Sequence, residues 1–255
     1  MEEKLKAFER LLNIMDDLRE KCPWDKKQTN ETLRPLSIEE VYELGDAILK
    51  KDDSGIKEEL GDLFLHLVFY AKIGEEQDKF NVADVLNSVC EKLIHRHPHI
   101  YGNTVAETED EVLKNWEKLK LKEGKKSILQ GVPESMPALI KAYRLQQKTA
   151  KVGFEWENTE QVWEKVKEEE QELKEALSAN NQDEIEDEFG DLMFALVNYA
   201  RFIKVDPEAA LEKTNIKFKN RFEYIEKQAQ TKNLKLEEMT LAEMDALWNE
   251  AKRQN

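Results

Sequence analysis

Two sets of four acids carry the chemistry open to this chain. Glu40-x-x-Glu43 is followed, after fifteen residues, by Glu59-x-x-Asp62. Glu169-x-x-Glu172 is followed at the same interval by Glu188-x-x-Asp191. On a helix, residues i and i+3 share a face, so each pair presents two carboxylates on one stripe. A fifteen-residue gap leaves room for a turn, and the two stripes of each set can then face one another on antiparallel helices. At 100° per residue Leu63 and Leu65 flank the stripe of Glu59 and Asp62, as Leu192 and Phe194 flank the second one. Acids set between apolar residues are not an ordinary solvated face. Converging carboxylates repel one another and resist desolvation unless a cation joins them. An all-oxygen donor set suits Mg²⁺, with Mn²⁺ as a substitute, better than zinc, which favours nitrogen and sulfur.

Other residues could address a phosphorylated ligand. Lys92 with Arg96, and Lys217 with Arg221, are i, i+4 pairs able to clamp phosphate oxygens. They follow the acids by 30 residues in the first half and 26 in the second. Trp24, Trp116, Trp156 and Trp248 are aromatic surfaces on which a base can stack. His95, His97 and His99 alternate across Pro98 and do not align on one helix face, so a zinc site is not expected there.

The elements that must position these residues are helical. Residues 59–72, ELGDLFLHLVFYAK, match residues 188–201, EFGDLMFALVNYAR, at eight of fourteen positions without a gap. With the recurring acid pairs, basic pairs and tryptophans, this marks a duplicated module. Leu5, Phe8, Leu11, Leu12 and Met15 form one face of a helix over residues 1–21. Further helices are expected at about 37–51, 55–75, 81–97 and 107–122, and His97-Pro98 ends the third of these. Asp52, Asp53, Ser54 and Gly55 supply the turn between the acidic helices of the first half, and Asn180 and Asn181 that of the second. Gly61 and Gly190 cost helix propensity, so a close approach by another helix or a ligand is expected at both. The organisation predicted is all-α: a helical module at 1–118, a Lys-, Gly- and Pro-bearing linker at 119–137 and a second helical module at 138–255.

Composition agrees. Only 9 Gly and 6 Pro occur in 255 residues, and the net charge is −15. Such an acidic chain lacks the clustered cations that nucleic-acid binding requires, and no apolar run is long enough to span a membrane. Two cysteines without metal-type spacing and a charged, amphipathic N-terminal stretch suit a cytoplasmic protein.

Several segments together resemble the MazG nucleoside triphosphate pyrophosphohydrolases in their two-domain form. They are KCPWDKKQT, EELGDL, HRHPHIYG, SILQGVPESMPAL and KVGFEW, then KVKEEEQEL, EDEFGDLMFALVNYAR, NIKFKNRF and LWNEAKRQ. The resemblance implies an all-α fold and cleavage of nucleoside triphosphates between the α and β phosphates. It also implies Mg²⁺, a homodimer and broad action on ribo- and deoxyribonucleotides. By resemblance Glu169, Glu172, Glu188 and Asp191 are metal ligands, and Lys165, Glu168, Lys217, Arg221 and Trp248 contact nucleotide. Glu169 or Glu172 would orient or deprotonate the attacking water.

The two halves differ. Asn198, on the acidic stripe, is matched by Phe69. Asn215 is matched by Cys90, and Lys165 by Leu36. The second site is therefore expected to be the more competent, and the first to be weaker, differently selective or structural. A pyrophosphatase selective for dUTP or a modified nucleotide, and a non-enzymatic helical scaffold, are the competing readings. A di-metal oxygen-chemistry bundle would carry Glu-x-x-His, which does not occur in this chain.

Overall fold

The computed structural model describes the chain except residues 107, 109–110, 113–114, 117–118, 120–126 and 255, and the side chain of residue 254. Every regular element among the described residues is helical. The chain divides into two compact units, Met1–Lys120 and Leu121–Asn255. The helix expected at 107–122, and the first half of the expected linker, fall largely outside the described residues. Residues 127–137 belong to the second unit, where Lys148 Nζ donates to the carbonyls of Ile128 and Gln130 at 3.1 and 3.2 Å.

The first unit contains α1 (Glu2–Lys21), a 3₁₀ turn (Asp25–Lys27), α2 (Asn30–Lys50), α3 (Asp53–Glu76), α4 (Val82–Arg96) and the short α5 (Pro98–Tyr101). α2 starts seven residues before the expected position. Thr29 caps it, accepting from the Thr32 amide while the Thr32 hydroxyl accepts from the Thr29 amide. That reciprocal cap fixes the start. Pro35 then removes a single bond, to the carbonyl of residue 31, and the helix runs on. Lys51 in the left-handed region ends α2, and Asp52 caps α3 by accepting from the amides of Ser54 and Gly55. α2 and α3 are thereby folded against each other as a hairpin, with α1 against α3. Met15, Leu33, Val68, Phe69 and Ile73 form the core between them.

The second unit contains α6 (Ala138–Ala150), α7 (Thr159–Ala179), α8 (Gln182–Phe202), α9 (Pro207–Thr231) and α10 (Leu241–Gln254), with a 3₁₀ turn at Leu236–Glu238. Asn180, at φ 53°, takes the turn position that Lys51 takes in the first unit. α7 and α8 form the equivalent hairpin and α6 packs on α8, while α9 and α10 pack together. Gly61 and Gly190 sit on open faces. Apart from the adjoining residues and backbone of its own helix, no atom among the described residues lies within 4 Å of a Cβ built at either. The close approach expected from the sequence is not made among the described residues.

Met15 is 1% exposed at the centre of the first core. Met15→Ala should cost about 2–5 kcal/mol, the usual result of emptying a packed site. A lowered urea midpoint of the first unit's transition would show it.

Candidate active site

Hairpin geometry turns the sequence pairs into a cluster. Glu169 and Glu172 on α7 and Glu188 on α8 each offer a carboxylate oxygen within 4.8 Å of the others. Glu40 and Glu43 on α2 and Glu59 on α3 do the same in the first unit. Asp191 and Asp62, the fourth acid of each set, stand outside these triads. Their charges still reach them: Asp191 acts on Glu188, and Asp62 on Glu40.

Electrostatics shows the strain of this convergence. Glu169 is 6% exposed. Lys165 pairs with it at 2.6 Å and with Glu168 at 2.7 Å, and these two partners raise the lysine's pKa. Glu172 shares a hydrogen bond with Glu169, which chiefly raises its pKa. Two carboxylates can share one only through a proton. Glu188 is raised by desolvation first and then by Glu169 and Asp191. In the first unit Glu40 and Glu59 are likewise raised, by desolvation and then by the neighbouring acids. An oxygen-only triad of mutually repelling acids fits a hard divalent cation, so both clusters could hold a metal ion.

In the second unit, Glu169 of the triad borders a nucleotide-sized space. A cleft of about 660 Å³ has Lys165, Glu169 and Asp191 on its wall, together with Phe154, Trp156 and Phe194. Its volume is that of a small-molecule site. The 151–158 loop carries two of these aromatic side chains. Gly153, at φ 85°, lets the chain turn off α6 into this loop. Arg201 on α8 grips both carboxylate oxygens of Glu155 and so ties the loop down. The same guanidinium donates to Asn198 Oδ1 at 2.8 Å, which fixes that amide.

The first unit closes the corresponding space. α1 lies against α3 where α6 lies against α8. Phe69, at the position of Asn198, is 2% exposed beside Met15, and Leu36, at the position of Lys165, packs on the same core. Ser37 Oγ bridges His66 Nδ1 at 2.8 Å and Tyr70 Oη at 2.9 Å. Burial lowers the pKa of His66, and Asp62 opposes this.

Some residues singled out in the sequence do not line the cleft. Arg221 lies over the Trp248 ring at 5.3 Å, and Phe218 packs on the same ring at 5.1 Å. Lys217 is exposed, and Asn215 donates to Glu212 at 3.0 Å. Lys92 is exposed on α4, which also carries Arg96. His97 Nδ1 meets the Leu93 carbonyl at 2.6 Å, an ordinary helix-end bond. Sequence reasoning missed Gln146, Thr149, Glu155 and Arg201 as cleft residues. The KVGFEW segment pointed to the loop, but nothing in its spacing pointed to α6.

A family model, the MazG nucleotide pyrophosphohydrolase domain, matches residues 28–101 and 157–225. The nucleoside triphosphate pyrophosphohydrolase/pyrophosphatase MazG of Thermotoga maritima is 45% identical, over 96% of this chain and 95% of that one. The nucleoside triphosphate pyrophosphohydrolase of Escherichia coli K12 is 40% identical, over 98% of both. A solved mazG-related protein from Thermotoga maritima aligns at a TM-score of 0.41 and 30% identity, over 44% of this chain and 98% of that one.

The raised carboxylates make a signed prediction. A raised acid holds its proton in the folded state at a pH where the unfolded chain releases it. Metal-free stability therefore falls as pH rises from the ordinary glutamate range through the raised values of Glu172 and Glu188. Glu172→Gln and Glu188→Gln should each raise the melting temperature of the metal-free protein at pH 7. Each should also weaken the further rise that Mg²⁺ or Mn²⁺ gives the native sequence. Thermal melts with and without cation would test both effects.

Proposed function

Since this chain belongs to the MazG nucleotide pyrophosphohydrolase family, we propose that its second unit cleaves nucleoside triphosphates between the α and β phosphates. The products are a nucleoside monophosphate and pyrophosphate. The observation that carries this reading is the Glu169, Glu172 and Glu188 triad, with Glu169 on the wall of an aromatic-lined cleft of about 660 Å³. Glu169, Glu172, Glu188 and Asp191 would hold Mg²⁺, with Mn²⁺ as substitute. The bound ion supplies counter-charge for the phosphates and makes water a better nucleophile.

The chain's own residues supply the rest. Phe154, Trp156 and Phe194 offer flat apolar surface to a base, and stacking of this kind accepts any base. That supports action on both ribo- and deoxyribonucleotides with broad base tolerance. The base end of the cleft places the triphosphate toward the acids, where Lys165 is the cation at hand. Its ammonium can exchange Glu168 for a phosphate oxygen and offset charge as the pyrophosphate leaves. Glu169 and Glu172 orient the attacking water, and one of them takes its proton for in-line attack on the α-phosphate. Lys217, Arg221, Trp248, Asn215, Lys92 and Arg96 do not line the cleft, so phosphate contact there falls to Lys165.

The first unit is assigned a weaker, differently selective or structural role, because Phe69 and Leu36 stand at the positions of Asn198 and Lys165. A homodimer accounts for the exposed apolar side chains of α4, Val85, Leu86, Leu93 and Ile94. α4 is an amphipathic helix with no buried residue. No helix among the described residues is long and apolar enough to cross a membrane, and a cytoplasmic setting suits the reading.

Incubation with the standard nucleoside triphosphates and dUTP, with and without Mg²⁺, tests the reaction. Monophosphate and pyrophosphate should form only with metal, and from every standard base. Strong preference for dUTP would replace the broad reading with a selective one. Orthophosphate as product would mean that a different bond is cut. Glu172→Ala should lower turnover by about 100-fold or more, and Glu43→Ala should leave most of it. The opposite result would move the active centre to the first unit.

A further inference from the structure

We propose that Gln146 is a substrate-recognition residue, whose buried Oε1 accepts a hydrogen bond from an N–H or O–H group of the nucleoside. The proposal rests on the reading of this cleft as a nucleotide site. Gln146 lies on α6, lines the cleft and is 6% exposed. Its Nε2 donates to the backbone carbonyl of Phe194 at 2.8 Å. That bond fixes the amide, because the flipped form would set two acceptor oxygens against each other. Oε1 is then left buried, with no donor from the described residues.

An unsatisfied buried acceptor costs about 1–3 kcal/mol. Leucine or methionine would fill the position without that cost. The corresponding helix pair of the first unit, α1 on α3, closes on Met15 in this apolar way. A ligand that supplies a donor removes the penalty, and a ligand that lacks one leaves it in place.

Chemistry narrows which part of a nucleotide this is. Ionised phosphates only accept, so Oε1 cannot serve the triphosphate. Base amines, ring N–H groups and sugar hydroxyls all donate. Phe194, whose carbonyl holds the Gln146 amide, also gives its ring to the cleft wall. One turn along α8, Asn198 has its oxygen engaged by Arg201, which leaves its Nδ2 as a donor. Two amides of cleft-lining residues thus have their polarity fixed beside an aromatic surface.

The test compares the native protein with Gln146→Leu on four substrates: ATP, purine riboside triphosphate without the 6-amino group, 2′-deoxy-ATP and 3′-deoxy-ATP. The native protein should lose about tenfold or more in kcat/KM on the analogue lacking the contacted donor. Gln146→Leu should lower kcat/KM for ATP mainly through KM and use ATP and that analogue alike. Loss on purine riboside triphosphate assigns the contact to the base, and loss on a deoxy analogue assigns it to the sugar. Equal use of all four by the native protein, or the same fold-loss on all four in Gln146→Leu, overturns the proposal. Gln146→Met, closer in shape, serves if the leucine variant does not fold. Failure of the native protein to turn over any triphosphate would instead overturn the nucleotide reading on which this inference stands.

Discussion

The second unit is organised around like charges that its own folding forces together. Burying the apolar sides of α7 and α8 draws Glu169, Glu172 and Glu188 within 4.8 Å of one another. Hydrophobic burial drives the hairpin, and the acids oppose part of that gain. The chain relieves the repulsion locally with Lys165, and the raised pKa of Glu172 and Glu188 records what remains. That relief is one a divalent cation and a phosphate can replace. The same arrangement that is uncomfortable for the empty protein is therefore what gives it affinity for a metal and a triphosphate.

Duplication shows which features belong to the hairpin and which to the site. Both units keep the acids, the short turn with a left-handed residue, and a helix packed across the second acidic helix. They part where that packed helix meets the hairpin. α1 brings Met15 into an apolar core with Phe69 and Val68. α6 brings Gln146 against the Phe194 backbone, and the following loop is held by Glu155 on Arg201 with its aromatic side chains along an open cleft. A few substitutions from apolar to polar thus separate a packed core from a binding site on one backbone plan.

The loop at 151–158 joins packing to recognition. Phe154 is 82% exposed, so its own burial does little to hold it. The bidentate grip of Arg201 on Glu155 does that work from α8, and the same arginine sets the polarity of Asn198. A base entering the cleft would cover aromatic surface that the fold leaves open, which is a favourable term available only on binding.

The sequence by itself determined the helical class, the duplicated acids and the turns between them. These are local: period 3.6 sets the faces, and the αL position before each capped helix sets the reversal. It also separated the two halves at Phe69 and Asn198, because residue type at a repeated position is visible without coordinates. Tertiary structure decided what the spacing could not. Three acids of each set converge and the aspartates stand aside, because the crossing of two helices selects which side chains meet. Phe218, Arg221 and Trp248 gather into a cluster of their own, and the open faces of Gly61 and Gly190 receive no neighbour among the described residues. Gln146 and Glu155 join the site from α6 and its loop, 23 and 14 residues before Glu169 along the chain. Contacts between segments joined by a flexible connection follow from packing, and no periodicity in the sequence records them.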